Sequence, residues 1–438
     1  MQLHCSCTGV VVVFLVGSGV IACLAGETDP YAWMHGDELA ANCANFSEAE
    51  EVKFREAGNL LEIRPICLPR DHWLHRDSHG KPATHLGWPV AVKIDSVIHV
   101  FYRRTFGHGI EDNSHLEGAA SGAVARSTDN GRTFGPVPWL KNSCLDDLEP
   151  GMRPRQSRLY GMNAVGVIDG KIVFSSRWGV CRSNDNGITW KYLVGAGSPE
   201  QLPSNPTYGQ GPELLVHPKK GLVSIGATAD CKLLLRTSQD YGRTWSEEVY
   251  PSGEPLQEPS GCFYQGKLLL MPRHDREEYT QFWSETGWAP FCRARTNITP
   301  GERDTTDVKY NPVSKRIEAL VTNRIGGGPG HEGDNCTTLN LWSIAPDKFT
   351  GGSGNWRFEG TLVRSEGREH DRSNPLKLDR DGMHPGGTVI DKEQGVQYIY
   401  IYLGHFPGPA GIFQIKRTLD TDALREYLLK SRSAISQH

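Results

Sequence analysis

Histidines crowd segments that glycine and proline break up: His72, His75, His79, His85, His108, His115, His274, His331, His384 and His405. A neutral imidazole serves as base or hydrogen-bond partner near neutral pH. Carboxylates stand at the openings of apolar runs, Glu213 in Gly211-Pro212-Glu213 and Asp304 and Asp307 ahead of Val308. One acid and one base with room for water between them suffice for an inverting hydrolysis. Arg103, Arg104, Arg273 and Arg324 close strand-like runs, and a guanidinium fork suits a planar carboxylate because it donates two parallel hydrogen bonds. The plain alternative for all of these is strand capping and salt bridging between neighbouring elements. His72, His75 and His79 beside Asp71 could ligate a metal on a helix, but Pro69 and Gly80-Lys81-Pro82 leave little helix and no HExxH pattern is present. Gly326-Gly327-Gly328-Pro329-Gly330 lacks the Lys-Ser/Thr ending of a phosphate loop and reads as a rim loop. No metal or organic cofactor is implied.

What must position these residues is a repeated β-hairpin. Ser127-Thr-Asp129-Asn-Gly131-Arg-Thr133-Phe134, Ser183-Asn-Asp185-Asn-Gly187-Ile-Thr189-Trp190 and Ser238-Gln-Asp240-Tyr-Gly242-Arg-Thr244-Trp245 share the pattern Ser-x-Asp-x-Gly-x-Thr-aromatic. Each position has its own part in the turn, in that Asp accepts from backbone amides, Gly takes positive φ, Thr opens the outgoing strand and the ring packs between sheets. Near-regular spacing of the three copies marks a supersecondary unit used repeatedly.

Around these hairpins the chain reads as six blades of short strands. Trp88–Asp95 with Val97–Tyr102, Met162–Asp169 with Lys171–Phe174, and Gly211–Val216 with Leu222–Ile225 open the first three; Pro259–Tyr264 with Lys267–Met271, Asp307–Asn311 with Ile317–Val321, and Gly387–Asp391 with Gln397–Tyr402 open the others. A worn hairpin, Ser284-Glu-Thr-Gly287-Trp288, closes the fourth, and 420–430 has helical spacing. The expected fold is all-β, a six-bladed β-propeller; a double-sheet sandwich would not need a fixed hairpin at the end of successive four-strand groups.

The 438 residues carry 38% hydrophobic side chains, 49 Gly, 27 Pro and 11 Trp, a turn-rich β composition, and the net charge of −4 offers no basic platform for nucleic acid. The apolar run from Gly9 to Ala25 is short for a membrane span and reads as a signal peptide over 1–25, followed by a lead-in over 26–60 with a short helix at 48–56, then one propeller over 61–438. Val20-Ile21-Ala22-Cys23 also resembles a lipoprotein cleavage box, so membrane attachment, if any, is by lipid. The expected location is secreted, periplasmic or at the cell surface. Removing the leader leaves Cys43, Cys67, Cys144, Cys181, Cys231, Cys262, Cys292 and Cys336, an even set that suggests up to four disulfides in an exported protein.

With these hairpins and strands in place, the chain from about 60 to 430 resembles the sialidase (neuraminidase) superfamily, six-bladed propellers whose outer hairpins carry the Asp-box, or BNR, repeat. The resemblance implies an exo-acting glycoside hydrolase with its substrate at the central axis. Tyr102-Arg103-Arg104, then Glu111-Asp112, then the first hairpin resemble the family's Arg, acid/base Asp and first box, which makes Asp112 the expected proton donor. Gln257-Glu258-Pro259 and Arg273 are similar to the Glu that polarises a catalytic tyrosine and to an Arg of the carboxylate-binding triad, with Arg324 a further triad candidate. Two departures stand out. Where the family has Arg-Ile-Pro this chain has Gly87-Trp88-Pro89, leaving Arg64 as a replacement from a neighbouring loop, and where the family has its nucleophilic tyrosine this chain has His384-Pro385. Tyr310, Tyr398 and Tyr400 are the substitutes for that phenol. The expected partner is a glycan ending in an acidic sugar, sialic acid first. Another glycosidase or a polysaccharide lyase on the same scaffold, and a non-catalytic glycan-binding propeller, are the alternatives.

Overall fold

The computed structural model describes residues 12–16, 19–23, 60–67, 85–105, 121–134, 164–176, 179–193, 208–228, 232–250, 256–274, 279–298, 305–323, 336–366, 384–404 and 410–435. Asp112, Arg324, Asp304, the His72 cluster, the expected helix at 48–56 and the glycine loop at 326–330 lie outside the described residues. Within the apolar run near the start of the sequence, β1 (Val12–Val16) and β2 (Gly19–Cys23) pair antiparallel. The next strand, β3 (Leu61–Cys67), finds its partner only near the other end of the chain.

Between those points the chain folds into successive antiparallel groups, each strand pairing with the one before it. The first is β4 (His85–Ile94), β5 (Val97–Thr105) and β6 (Ser121–Ser127). The second is β7 (Ala164–Ile168), β8 (Lys171–Ser176), β9 (Gly179–Ser183) and β10 (Lys191–Tyr192). The third is β11 (Tyr208–His217), β12 (Gly221–Ala227), β13 (Leu233–Ser238) and β14 (Ser246–Tyr250). The fourth is β15 (Leu256–Tyr264), β16 (Lys267–His274), β17 (Thr280–Ser284) and β18 (Cys292–Arg295). The fifth is β19 (Thr306–Asn311), β20 (Arg316–Asn323), β21 (Cys336–Ile344) and β22 (Arg357–Glu366), with a short helix α1 (Pro346–Thr350) before its last strand. The sixth is β23 (Val389–Asp391), β24 (Val396–Gly404) and β25 (Ala410–Thr418), on whose free edge β3 pairs antiparallel. Helix α2 (Thr421–Ile435) follows, where helical spacing was expected. The fold is an all-β, sialidase-like propeller.

The first strands of the groups touch one another in turn. Val90 and Val92 pack with Val165, Glu213 bridges Val165 in a parallel pair, and Gly211 leaves no room for a Cβ beside the Pro259 carbonyl. Ser260 and Thr306 hydroxyls meet at 2.8 Å, the Thr388 hydroxyl donates to Asp307 Oδ2 at 2.6 Å, and Ala91 N donates to Gly387 O at 3.0 Å, returning to the first group. Apolar clusters fill the wedges between groups, for instance Leu269, Val308, Ile317 and Trp342 between the fourth and fifth.

The repeated octapeptides make the hairpins expected of them, joining third to fourth strands in groups two and three. Around Asp129, Ser127 Oγ donates to Oδ1 at 2.7 Å, Thr133 donates its backbone N–H to Oδ1 at 2.8 Å and its hydroxyl to Oδ2 at 2.6 Å, and Gly131 N donates to Ser127 Oγ at 2.8 Å with φ +75°. Asp185 and Asp240 repeat the set. The hydrogen bonds from Thr133 and Ser127 hold the Asp129 carboxyl well below the usual range. These aspartates serve the turns, on the strands farthest from the axis. In the worn copy, the Ser284 and Thr286 hydroxyls reach the Trp288 carbonyl instead.

Of the eight cysteines in the disulfide expectation, Cys43, Cys144 and Cys231 lie outside the described residues, while Cys67, Cys181, Cys262 and Cys292 have described side chains. The three buried ones sit in three different apolar clusters, and Cys292 is exposed on β18, so no two of the four meet. Among the described residues no helix is long and apolar enough to cross a membrane.

Candidate functional site

Two first strands carry the same local device. In β4 the ladder slips between Gly87 and Val90, and in β15 between Gln257 and Ser260. Each bulge places a non-glycine residue in the left-handed region immediately before a proline: Trp88 at φ +50° ahead of Pro89, and Glu258 at φ +41° ahead of Pro259. Such backbone costs about 1–3 kcal/mol per residue and persists only where the surroundings fix it. An arginine on the second strand does so in both groups. Arg103, opposite Gly87, lays its guanidinium 4.9 Å over the Trp88 indole, and Arg273, opposite Gln257, donates from Nη1 to Glu258 Oε2 at 2.8 Å.

Facing the axis, β19 offers alternate side chains to its neighbours, as a strand of period two must. Thr305, just ahead of it, meets His384 Nδ1 at 2.5 Å, Asp307 accepts from Thr388, and Lys309 donates to Glu213 with Asp307 Oδ1 3.5 Å from its ammonium. Gly387 keeps Glu213 close to the sixth group, since a Cβ there would lie 3.4 Å from Glu213 Cγ. Burial, with the Asp307 charge adding to it, raises the Glu213 carboxyl to about 7 against the pull of Lys309. Burial works against the Lys309 ammonium, but Asp307 and Glu213 outweigh it and hold its pKa above the usual lysine value. Burial likewise pushes the nearby Cys262 thiol up to about 12.

Above this charged floor lies an aromatic group. The His384 imidazole is nearly parallel to the Tyr402 ring, 18° and 5.8 Å between centroids, and Tyr402 meets both His85 at 5.4 Å and Trp88 at 5.4 Å. His85 and Trp88 are 5.5 Å apart. Among the described residues no three His, Cys, Asp or Glu side chains gather to hold a metal ion.

Trp88 with Arg103 and Glu258 with Arg273 thus occupy matching bulges of the first and fourth groups, His384 joins the first set through Tyr402, and Glu213 pairs with Lys309. Arg104 lies on β5 opposite Leu86. Arg64 does not join them, which corrects the expectation that it replaces the missing arginine. It lies on β3, the outermost strand of the sixth group, and donates to the Arg132 carbonyl in the first hairpin. The tyrosine substitutes are also engaged elsewhere: Tyr398 donates to Asn130 O at 2.8 Å, Tyr400 to Gln414 Oε1 at 3.0 Å, and Tyr310 packs on Tyr264 at 4.5 Å. Sequence reasoning passed over Tyr402 and Lys309. For Tyr402 the signal was available, because Tyr398, Tyr400 and Tyr402 alternate along one strand face and the last falls nearest the end shared with His384.

Among solved structures, the fold is similar to Trypanosoma rangeli sialidase, at 13% identity over 84% of this chain and 60% of that one with a TM-score of 0.51. The same enzyme in complex with 2,3-difluoro-KDN gives 14% identity over 85% and 60%, with a TM-score of 0.53. A protein of unknown function from Dyadobacter fermentans gives 15% identity over 81% of this chain and 99% of that one, with a TM-score of 0.52. The chain spans about 60% of the length of the trypanosomal enzyme. No protein-family model matches the chain, and no curated protein matches it in sequence. At these identities the likeness is one of fold: a sialidase-like β-propeller.

Proposed function

We propose that this chain is an exported, exo-acting glycoside hydrolase of the sialidase type that removes a terminal acidic sugar, sialic acid foremost, with the six strand groups as its six blades. The observation that carries the reading is the pair of matched bulges that set Trp88 with Arg103 and Glu258 with Arg273 at equivalent places on two first strands of a sialidase-like fold. Arg273 binds the sugar carboxylate, while Arg103 stays on the Trp88 indole. Asp112 gives its proton to the glycosidic oxygen as the bond to the anomeric carbon breaks. Water adds to that carbon, and the neutral His384 imidazole, oriented by Thr305, takes the water proton. Glu213, committed to Lys309, stays out of the chemistry and shapes the floor. Residues 1–25 direct export.

The test is fluorophore release from the α-sialoside of methylumbelliferone by the purified protein and by Asp112→Asn, with proton NMR following the first anomer formed. Removing a general acid should lower turnover by roughly 10²–10⁴-fold. The ion pair that already engages Arg273 favours a second reading, a glycan-binding propeller without turnover. Sialoside binding with no release by either protein would establish that reading and sink the first.

A further inference from the structure

The resemblance to sialidases places an arginine in the first group at Gly87, where the structure puts the His85 ring in the way of a side chain. A Cβ on Gly87 would lie 2.8 Å from His85 Cε1, so the imidazole fills the space that any larger side chain would need. The positive charge of this group comes instead from the second strand, through Arg103, and the position next to Gly87 belongs to an indole. Trp88 is a bulky residue held at φ +50° ahead of a proline, a combination the chain adopts only under constraint. The constraint is a continuous set of rings: His85, Tyr402 and, beyond it, His384. Of these four, Trp88 is the least buried, and it offers the set's aromatic surface to a ligand. Three groups away in either direction around the ring, the matching position is Glu258, backed by Arg273. The mouth therefore has an apolar aromatic side and a charged side.

We propose that Trp88 is a specificity-determining residue, the platform on which the C–H face of a pyranose ring stacks while its hydroxyl and carboxylate groups turn toward Glu258 and Arg273. This rests on the glycan reading above and adds to it a requirement on the sugar: one ring face free of polar substituents that would lift it from the indole. A pyranose with such a face presents several C–H groups to the electron-rich ring, and Arg103 on the indole stiffens the platform without any change in the sugar.

The experiment uses a thio-linked methyl α-sialoside, which resists hydrolysis, and methyl β-galactopyranoside as a neutral probe. Saturation-transfer NMR on the full chain should light the protons of one ring face of whichever probe binds. Trp88→Ala should abolish that one-sided pattern and weaken binding by roughly tenfold or more, while Trp88→Phe keeps the pattern with a smaller loss. Ile188→Ala, at an exposed side chain away from the mouth, should change nothing. Circular dichroism and thermal melting establish that each variant is folded. Even saturation around the ring, an affinity within twofold for Trp88→Ala, or no binding of either probe overturns the proposal. One-sided stacking without hydrolysis of any sialoside would defeat the hydrolase reading and leave the platform intact.

Discussion

Replacing Glu213 by Gln should change how stability depends on pH more than it changes stability itself. In the native protein the Glu213 carboxyl is raised from its ordinary 4.5 to about 7, chiefly by burial. A carboxyl whose folded pKa lies above its unfolded one stabilises the fold fully below about pH 4.5, where both states are protonated. That contribution is lost as the pH climbs through 7, because the unfolded state gives up its proton first. The difference corresponds to on the order of 3 kcal/mol between pH 4.5 and 8. Glu213→Gln removes this titration while leaving Lys309 its second carboxylate, Asp307, 3.5 Å away. Urea denaturation of both proteins at intervals from pH 4.5 to 8 gives the comparison. Subtracting one curve from the other cancels every group they share. The wild type should lose about 3 kcal/mol relative to the variant on the way up. Parallel curves would refute the placement of Glu213 in the buried floor, and a difference of opposite slope would mean that Lys309, not burial, dominates its ionisation.

Gly87→Ala should destabilise the protein by about 1–3 kcal/mol, since the new methyl must displace the His85 ring from beneath Trp88, and a thermal melt measures it. A melting temperature equal to the wild type's would show that the ring set is looser than described. With a maleimide reagent, Cys292 should react in the native protein, whereas the buried Cys262 should react only in denaturant and without prior reduction. Failure of Cys262 to label before reduction would mean that it is bridged.

Local signals were legible in the sequence and distant ones were not. Ser127, Asp129, Gly131 and Thr133 make their bonds within a few residues of one another, so the pattern alone specifies the turn. The floor is the opposite case. Glu213 and Lys309 are 96 residues apart, and nothing local in either strand announces the other. Glu258 and Arg273 fall between these extremes, in a single hairpin, where a resemblance singled out each residue but not the ion pair between them. Arg64 misled because Glu62-Ile63-Arg64-Pro65 looks like a loop, whereas its backbone pairs with Gln414 on the outside of the sixth group. The cysteine count gave no pairing because an even number says nothing about distance, and Cys67, Cys181 and Cys262 sit in separate wedges.

The pairing of β3 with β25 also fixes an order of events. Cys67 lies beside Ile412, 345 residues further along, so the strand that completes the sixth group is made among the first and can be seated only among the last. On a ribosome it waits through the synthesis of every other group, with its ladder groups exposed and ready to pair with the wrong edge. Groups two to five can settle as they emerge, each on its predecessor, but closure waits for the sixth group to meet both β3 and the first group. Closing a loop of such length is slow beside folding a hairpin. Assembly of this protein therefore ends in late long-range pairing around the sixth group, and agents that capture exposed strand edges would act there.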